Sequence, residues 1–354
     1  MMDNSTSTNT QSPSSGSKLS GKGKILCWGE LLLRLSPELQ GQWIANHSFS
    51  AHIGGAELNV ARALARWNVP TKYFTAVPDN FITAEICRQL EAENIDISSV
   101  AVQGNRLGLY YLPQGTDLKQ AGVIYDRAHS AFGELQPGSI NWDKILEGCS
   151  WLHWSAITPG LNAQLAAVCA EAISAAKKKG MTISVDLNYR SLLWQYDVVP
   201  SEVMKPLVQQ CDVVMGNVWA VEKLLGISSP IRESKGHSQE DLVSAAGESM
   251  QELHRSFPGL QHIAYTFRLD SSYFAVLYHP TALTTSSTYP LEQVRDKVGS
   301  GDCFMGALIY GIVQESEPAH IINRAAVAAV GKMQEIGDAT KQTIESIEHK
   351  IIGI

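Results

Sequence analysis

The 354 residues contain no C-x-x-C pair, no apolar run approaching the ~18 residues of a membrane span, and no basic cluster longer than Lys177-Lys178-Lys179. The six cysteines, Cys27, Cys87, Cys149, Cys169, Cys211 and Cys303, are scattered, mostly in apolar surroundings. They read as small buried residues of a reducing compartment, which points to the cytoplasm. A formal net charge of -7 without a basic stripe argues against a nucleic-acid partner, and the absent span argues against a membrane one. The lysine triplet, followed by Gly180, reads as the solvated last turn of a helix. No G-x-G-x-x-G follows the first apolar run, since Gly29-Glu30 is not that turn, so a dinucleotide-dependent oxidoreductase is disfavoured. Residues 1–23 lack both the apolar centre of a signal peptide and the arginines of a transit peptide. Rich in Ser, Thr, Asn and Gly, they are expected to form a disordered tail. No internal repeat is visible.

What the chain does have is 44% hydrophobic and 18% charged residues, enough for a large core in one α/β domain over residues 24–354. Ile25-Leu26-Cys27-Trp28 reads as a buried parallel strand ending in a loop at Gly29-Glu30. Strands are expected at 73–77, 151–155, 182–186 and 213–216, and helices at 56–67, 82–93, 163–179, 201–210 and 220–226. This alternation predicts a doubly wound, mostly parallel sheet flanked by helices, with ligands at the carboxyl ends of the strands. Two strand pairs, at about 31–53 and 104–129, interrupt the rhythm and are assigned to a separate small β-sheet. An amphipathic helix within 228–259 is read as scaffolding. Helices at 319–333 and from about 343 follow, and no chemistry is assigned beyond Tyr310.

The densest signal is Asp296-Lys297-Val298-Gly299-Ser300-Gly301-Asp302-Cys303-Phe304. Phe304, Ala307, Leu308, Gly311 and Ile312 recur at helical spacing, so a helix starts near 300–302 with its free N–H groups facing outward. Glycines let the backbone turn tightly and let an anion approach, and a carboxylate stands beside them. An acidic residue at a helix start is also an ordinary cap.

This G-S-G-D, with Ser300 in place of the usual alanine, resembles the G-A-G-D signature of the ribokinase-like (PfkB) sugar kinases. The resemblance implies that Asp302 is the base for the sugar hydroxyl and that Gly299, Ser300 and Gly301 form an anion hole for the transferring phosphoryl. The small sheet would be a lid over the sugar site. Gly54-Gly55-Ala56-Glu57-Leu58-Asn59 is similar to the family's G-G-A/N-x-x-N, which assigns Gly54, Gly55 and Asn59 to sugar binding. Arg106, Tyr110, Tyr125 and Arg127, aromatics interleaved with guanidiniums, suit a ligand bearing a carboxylate. An ordinary charged strand face is the plainer reading. Tyr125-Asp126-Arg127-Ala128-His129-Ser130-Ala131 resembles the Y-x-R-x-x-S-A of 2-keto-3-deoxygluconate kinases. Asp186-Leu187-Asn188-Tyr189-Arg190 with Leu193-Trp194 resembles their D-x-N-Y-R-x-x-L-W. By that likeness Arg190 grips the acid and Asn188 supports the phosphoryl path.

Asn217 matches the Asn of an N-x-x-E element that organises magnesium and phosphate through water, but Ala220 replaces its glutamate. Arg268, where many relatives have a glycine turn, either contacts phosphate or is simply exposed. ATP and Mg²⁺ are the implied cofactors, with no residue assigned as a metal ligand. The expected activity is ATP-dependent phosphorylation of the primary hydroxyl of 2-keto-3-deoxygluconate. A neutral-sugar kinase, such as one for fructose, and a catalytically weak sugar-acid-binding regulatory protein, suggested by Ala220, are the alternatives. Exposed edges of a small lid sheet point to a homodimer through it.

Overall fold

The computed structural model describes residues 23–37, 42–45, 47–113, 122–231, 234–279 and 282–351. The tail expected over 1–23 falls, apart from Gly23, outside the described residues.

Short apolar runs become the centre of a ten-stranded sheet. Ile95–Asp96, Thr71–Phe74, Lys24–Trp28, Cys149–Ser155, Thr182–Asp186, Val213–Gly216 and His262–Arg268 lie in that order, each parallel to the next. Ser272–His279 and Ala282–Thr285 extend one edge in antiparallel fashion. Strands buried on both faces read as continuous hydrophobic runs, and alternate residues then serve opposite layers. Leu26 and Trp28 join Leu152, Trp154 and Val185 in one core, whereas Ile25 and Cys27 join Met215, Phe304 and Leu308 in the other.

The expected strand at 73–77 divides into Thr71–Phe74 in the main sheet and Ala76–Val77, which pairs with Ala101–Val102 in a sheet of two. The helix expected at 82–93 is Phe81–Ala92, where the Asn80 side chain accepts from Thr83 N at 3.0 Å. The lysine triplet does close a helix, Ala163–Lys178, with Lys177 paired to Asp212 and Lys179 to Asp143.

The two interrupting strand pairs form one four-stranded sheet in the order Ser50–Gly54, Leu32–Ser36, Gly108–Tyr111, Ile124–Asp126. The outer pairings are antiparallel, and the central one, Leu32 opposite Gly108, is parallel. Leu32, Tyr110, Leu112, Val123 and Val298 make its small core. Since Val298 precedes the glycine turn, this core attaches the small sheet directly to that turn. Among the described residues no helix is long and apolar enough to cross a membrane.

Candidate active site

Gly299, in the left-handed region at φ 77°, turns the chain into the helix Ser300–Val313 and places Asp302 in its first turn. Ser300 N donates to Lys297 O at 3.4 Å; the next N–H groups of the first turn have no intrahelical acceptor, so they are available to an anion. A Cβ at Gly301 would make only ordinary contact, 3.9 Å from Met215 Cε, so there is room over the turn. Asp302 itself is 8% exposed and accepts from Asn59 Nδ2 at 2.7 Å. Asn59 sits on the helix Ala56–Arg66 and is also buried, with its Oδ1 lacking a hydrogen-bond partner. An orphaned buried acceptor is costly unless a ligand donor completes it.

Burial pushes the Asp302 carboxyl up to about 7; the Asn59 hydrogen bond and Arg190 oppose the shift, while Glu57 and Asp338 add to it. Asp186, at the end of the neighbouring strand Thr182–Asp186, is raised to about 8 by burial and by Asp302, against Arg190 and the Asn188 hydrogen bond. Two carboxylates near one another in a desolvated cleft thus share a reluctance to ionise. Such a group is matched to accepting a proton near neutral pH.

The sign for stability follows. A carboxyl whose folded pKa is raised contributes stability that is complete below its unfolded value near 3.8 and is lost as pH rises through about 7 and 8 for these two. Asp186→Asn should therefore raise the melting temperature at pH 8.5 and change it little at pH 4, as thermal denaturation at the two pH values will show. A uniform shift at both would contradict the assignment.

Further carboxylates surround this pair. Glu57, in the first turn of its helix, accepts from Ser155 Oγ at 2.5 Å, and burial raises its pKa. Gly29 is a glycine because a Cβ there would lie 1.9 Å from Glu57 Oε2. Glu30 accepts from Arg127 through Nε at 2.7 Å and Nη2 at 2.5 Å, and from Ser130 Oγ at 2.5 Å. The Arg and Ser of the 125–131 segment thus clamp a single carboxylate. Tyr110 donates to Asp338 Oδ2 at 2.5 Å and packs against Tyr125 with ring centroids 6.4 Å apart. Arg34, fully buried, binds Asp296 through Nη2 at 2.6 Å and Asp338 through Nε at 2.9 Å. Burial raises the Asp338 pKa, and Arg34 and Tyr110 hold it back.

The structure brings together Gly54, Gly55, Asn59, Tyr110, Gly299, Ser300, Gly301 and Asp302 around this network. A Cβ at Gly54 would lie 2.5 Å from Asp338 Oδ2, and Gly55, at φ 131°, would put one 2.4 Å from Glu30 O. Arg190 is half-buried, its charge is felt by both Asp186 and Asp302, and it makes no ion pair with the described residues. Arg127 joins the cleft through Glu30, with two of its three guanidinium nitrogens so engaged.

Arg106 is employed elsewhere. Its guanidinium pairs with Asp126 at 2.8 Å and bonds the carbonyls of Asp126 and Ala128, closing its own hairpin. Asn217 caps the helix Val218–Leu225 by accepting from Ala220 N at 2.9 Å, and Ala220 is buried in the core. Arg268 ends the strand His262–Arg268, close enough to Tyr273 to lower its pKa against burial.

Sequence reasoning gave no role to Glu30, Arg34 or Asp338 and only a helix-start role to Glu57; Asp338, beyond Tyr310, lies in this network through Arg34 and Tyr110. A carboxylate beside a glycine at a strand end was the available signal for Glu30. Among the described residues no cluster of three His, Cys, Asp or Glu could hold a metal.

A buried carboxyl raised towards neutrality thus stands at a helix start, at the carboxyl edge of a parallel sheet with a small sheet attached. The chain belongs to the pfkB family of carbohydrate kinases, whose profile matches residues 22–344. The ribokinase-like architecture expected from the motifs is the one observed. The crystal structure of 2-dehydro-3-deoxygluconokinase from Thermotoga maritima superposes with a TM-score of 0.84 at 32% identity, covering 92% of this chain and 98% of that one. 2-Dehydro-3-deoxygalactonokinase from Haloferax volcanii is 26% identical over 93% of this chain and 97% of its own length. Fructokinase-1 of Oryza sativa subsp. japonica is 25% identical over 82% of this chain and 83% of its own.

Proposed function

We propose that this carbohydrate kinase transfers the γ-phosphoryl of MgATP to the primary hydroxyl of 2-keto-3-deoxygluconate, giving the 6-phosphate. The observation that carries the acidic substrate is Arg190, half-buried beside Asp302 and Asp186 and holding no carboxylate of the described chain. A half-buried guanidinium that makes no ion pair among the described residues suits an anionic ligand. The similarity to 2-dehydro-3-deoxygluconokinase at 32% identity supports the same reading.

In this reading Asp302 accepts the hydroxyl proton and Asn59 holds the acceptor in place, while Asn59 Oδ1 takes a hydrogen bond from a sugar hydroxyl. The N–H groups at the start of the helix Ser300–Val313 receive the phosphoryl oxygens, since phosphoryl transfer depends on positioning and charge neutralisation more than on covalent help. Arg190, with the remaining nitrogen of Arg127, binds the acid end. Tyr110 and Tyr125 line the small sheet above it, which serves as the lid. Asn188, Asn217 and Arg268, near the ends of adjacent strands, would face the nucleotide. Magnesium, when bound, would neutralise phosphate charge, held chiefly through phosphates and water.

The test is coupled ADP release over 2-keto-3-deoxygluconate, its galactonate epimer and fructose. Preference for a ketodeoxy acid is expected; preference for fructose, the reading favoured by the rice fructokinase and by Glu30's hold on Arg127, would overturn the proposal. Binding of the acid without turnover would point to a regulatory protein instead. Arg190→Met should raise the KM for the acid roughly 10- to 100-fold, the value of a charged hydrogen bond, while leaving any residual fructose turnover within a few-fold. Equal losses on both sugars would show that Arg190 does not read the acid.

A further inference from the structure

Between Arg190 and the helix Pro200–Val208 the chain forms neither strand nor helix, and most of its side chains face solvent. Leu193, Trp194 and Tyr196 turn inward. The indole of Trp194 lies in a notch at the buried Gly160, where a Cβ would come within 2.8 Å of Nε1 and 2.9 Å of Cε2, so a residue with a side chain would push the ring out. Tyr196 stacks on that indole, with ring centroids 6.1 Å apart and planes at 19°, and its hydroxyl donates to Pro159 O at 2.5 Å. Both contacts are made to one short helix, Ile157–Leu161, which follows the strand Cys149–Ser155.

This anchorage bears on Arg190. A long side chain whose guanidinium pairs with no carboxylate of the described chain takes its aim from its backbone. That backbone is set by a turn in which Leu193 N donates to Arg190 O at 3.0 Å, and Trp194 is the next residue. On the other side of the arginine, the strand end is tied to the start of the same short helix, since Ala156 N donates to Asp186 O at 2.9 Å. Attachment to the core alone would need only an apolar side chain such as Leu193. The glycine notch and the tyrosine hydroxyl do more, because a close-packed ring with one hydrogen-bonded neighbour admits a single position of the chain.

We infer that Trp194 is a positioning residue for Arg190: seated at Gly160 beneath Tyr196, it fixes the turn that carries the guanidinium and thereby sets the preference for an acidic over a neutral sugar. The inference rests on the proposed role of Arg190 in binding the acid. It assigns selectivity to a contact between two residues, Trp194 and Gly160, neither of which touches the sugar.

Gly160→Ala tests it without altering Arg190, Trp194 or the residues around Asp302. Steady-state turnover should show the KM for 2-keto-3-deoxygluconate raised roughly fivefold to tenfold, with kcat for the acid and kcat/KM for fructose each within about twofold of native, since a KM effect alone marks lost binding. Adding Gly160→Ala to Arg190→Met should cost no further acid affinity, because the two changes remove one interaction. Trp194→Phe, whose smaller ring leaves room for the methyl group, should repair much of the Gly160→Ala loss when the two are combined. Losses that add to those of Arg190→Met, or that fall equally on acid and fructose, would show that the indole merely packs. Should Arg190→Met weaken the acid while Gly160→Ala does not, the inference falls and the reading of Arg190 stands; an Arg190→Met protein with native affinity for the acid would remove both. Where alanine at position 160 prevents folding, Tyr196→Phe gives the milder contrast: loss of its bond to Pro159 O should raise the KM for the acid roughly twofold to fivefold and spare fructose, and an unchanged KM for the acid would count against the inference.

Discussion

Asp302→Asn should lower kcat roughly 10²–10⁴-fold, the range of a lost general base, while sugar affinity survives. The substitution keeps the shape of the side chain and can preserve the contact with Asn59, which now lies at 2.7 Å, through an amide oxygen. What it removes is the capacity to hold the hydroxyl proton. The native enzyme should lose kcat/KM as pH falls through about 7, because the base must be unprotonated to work and burial has lifted it to that value. In the variant this acid limb should vanish. Stability should move the other way: the raised pKa makes ionised Asp302 a liability above pH 7, so the amide should melt higher at pH 8.5. Turnover close to native, or an unchanged acid limb, would remove Asp302 from the role of base.

What the sequence made legible was whatever is local. The strands Thr182–Asp186 and Val213–Gly216 stand where their apolar runs end, and the turn from Gly299 into an apolar helix announces itself within ten residues. The small sheet was also visible as two interruptions, although its central parallel pairing of Leu32 with Gly108 joins strands far apart in the chain and has no local signature. The buried polar network was illegible for the same reason. Arg34 meets Asp296 across 262 positions and Tyr110 meets Asp338 across 228, and each looks alone like an ordinary charged or aromatic residue of a strand or loop.

Arg106 shows the converse failure. An arginine on a strand near aromatics suits an anionic ligand, yet a hairpin carbonyl and its own Asp126 reach it first. Local hydrogen bonds compete with function for every exposed guanidinium, and periodicity does not report which side prevails. Ala220 is read differently once its place is known: it is packed in the core beneath the Asn217 cap, so restoring a glutamate there would bury a charge rather than complete a polar element.

Gly299→Ala should be the most damaging single methyl in the molecule. A Cβ at this position would lie 1.8 Å from Asp338 O and 2.9 Å from Asp338 C, backbone atoms that no rotamer change can move aside. The left-handed φ of 77° adds strain of about 1–3 kcal/mol for any residue with a side chain. The chain has two ways to respond. If the loop carrying Asp338 retreats, the carboxylate held by Arg34 and Tyr110 leaves its partners, and buried charges lose their compensation at a further cost of about 3–5 kcal/mol. If instead the turn flattens, the first N–H groups of the helix no longer point at one anion, and kcat should fall about 10²–10³-fold as when an oxyanion donor is deleted. Either response harms the protein at every pH, unlike Asp302→Asn, whose stability effect is absent below about pH 3.8 and grows as pH rises towards about 7. Ser300→Ala, one residue on, is the control: its hydroxyl donates to Lys297 O at 3.0 Å, a bond worth about 1 kcal/mol, and its backbone is already helical. Denaturation and steady-state turnover on the three variants will separate a lost base, a lost turn and a lost hydroxyl, and a Gly299→Ala protein as stable and active as Ser300→Ala would mean that the turn is not built on the contact with Asp338.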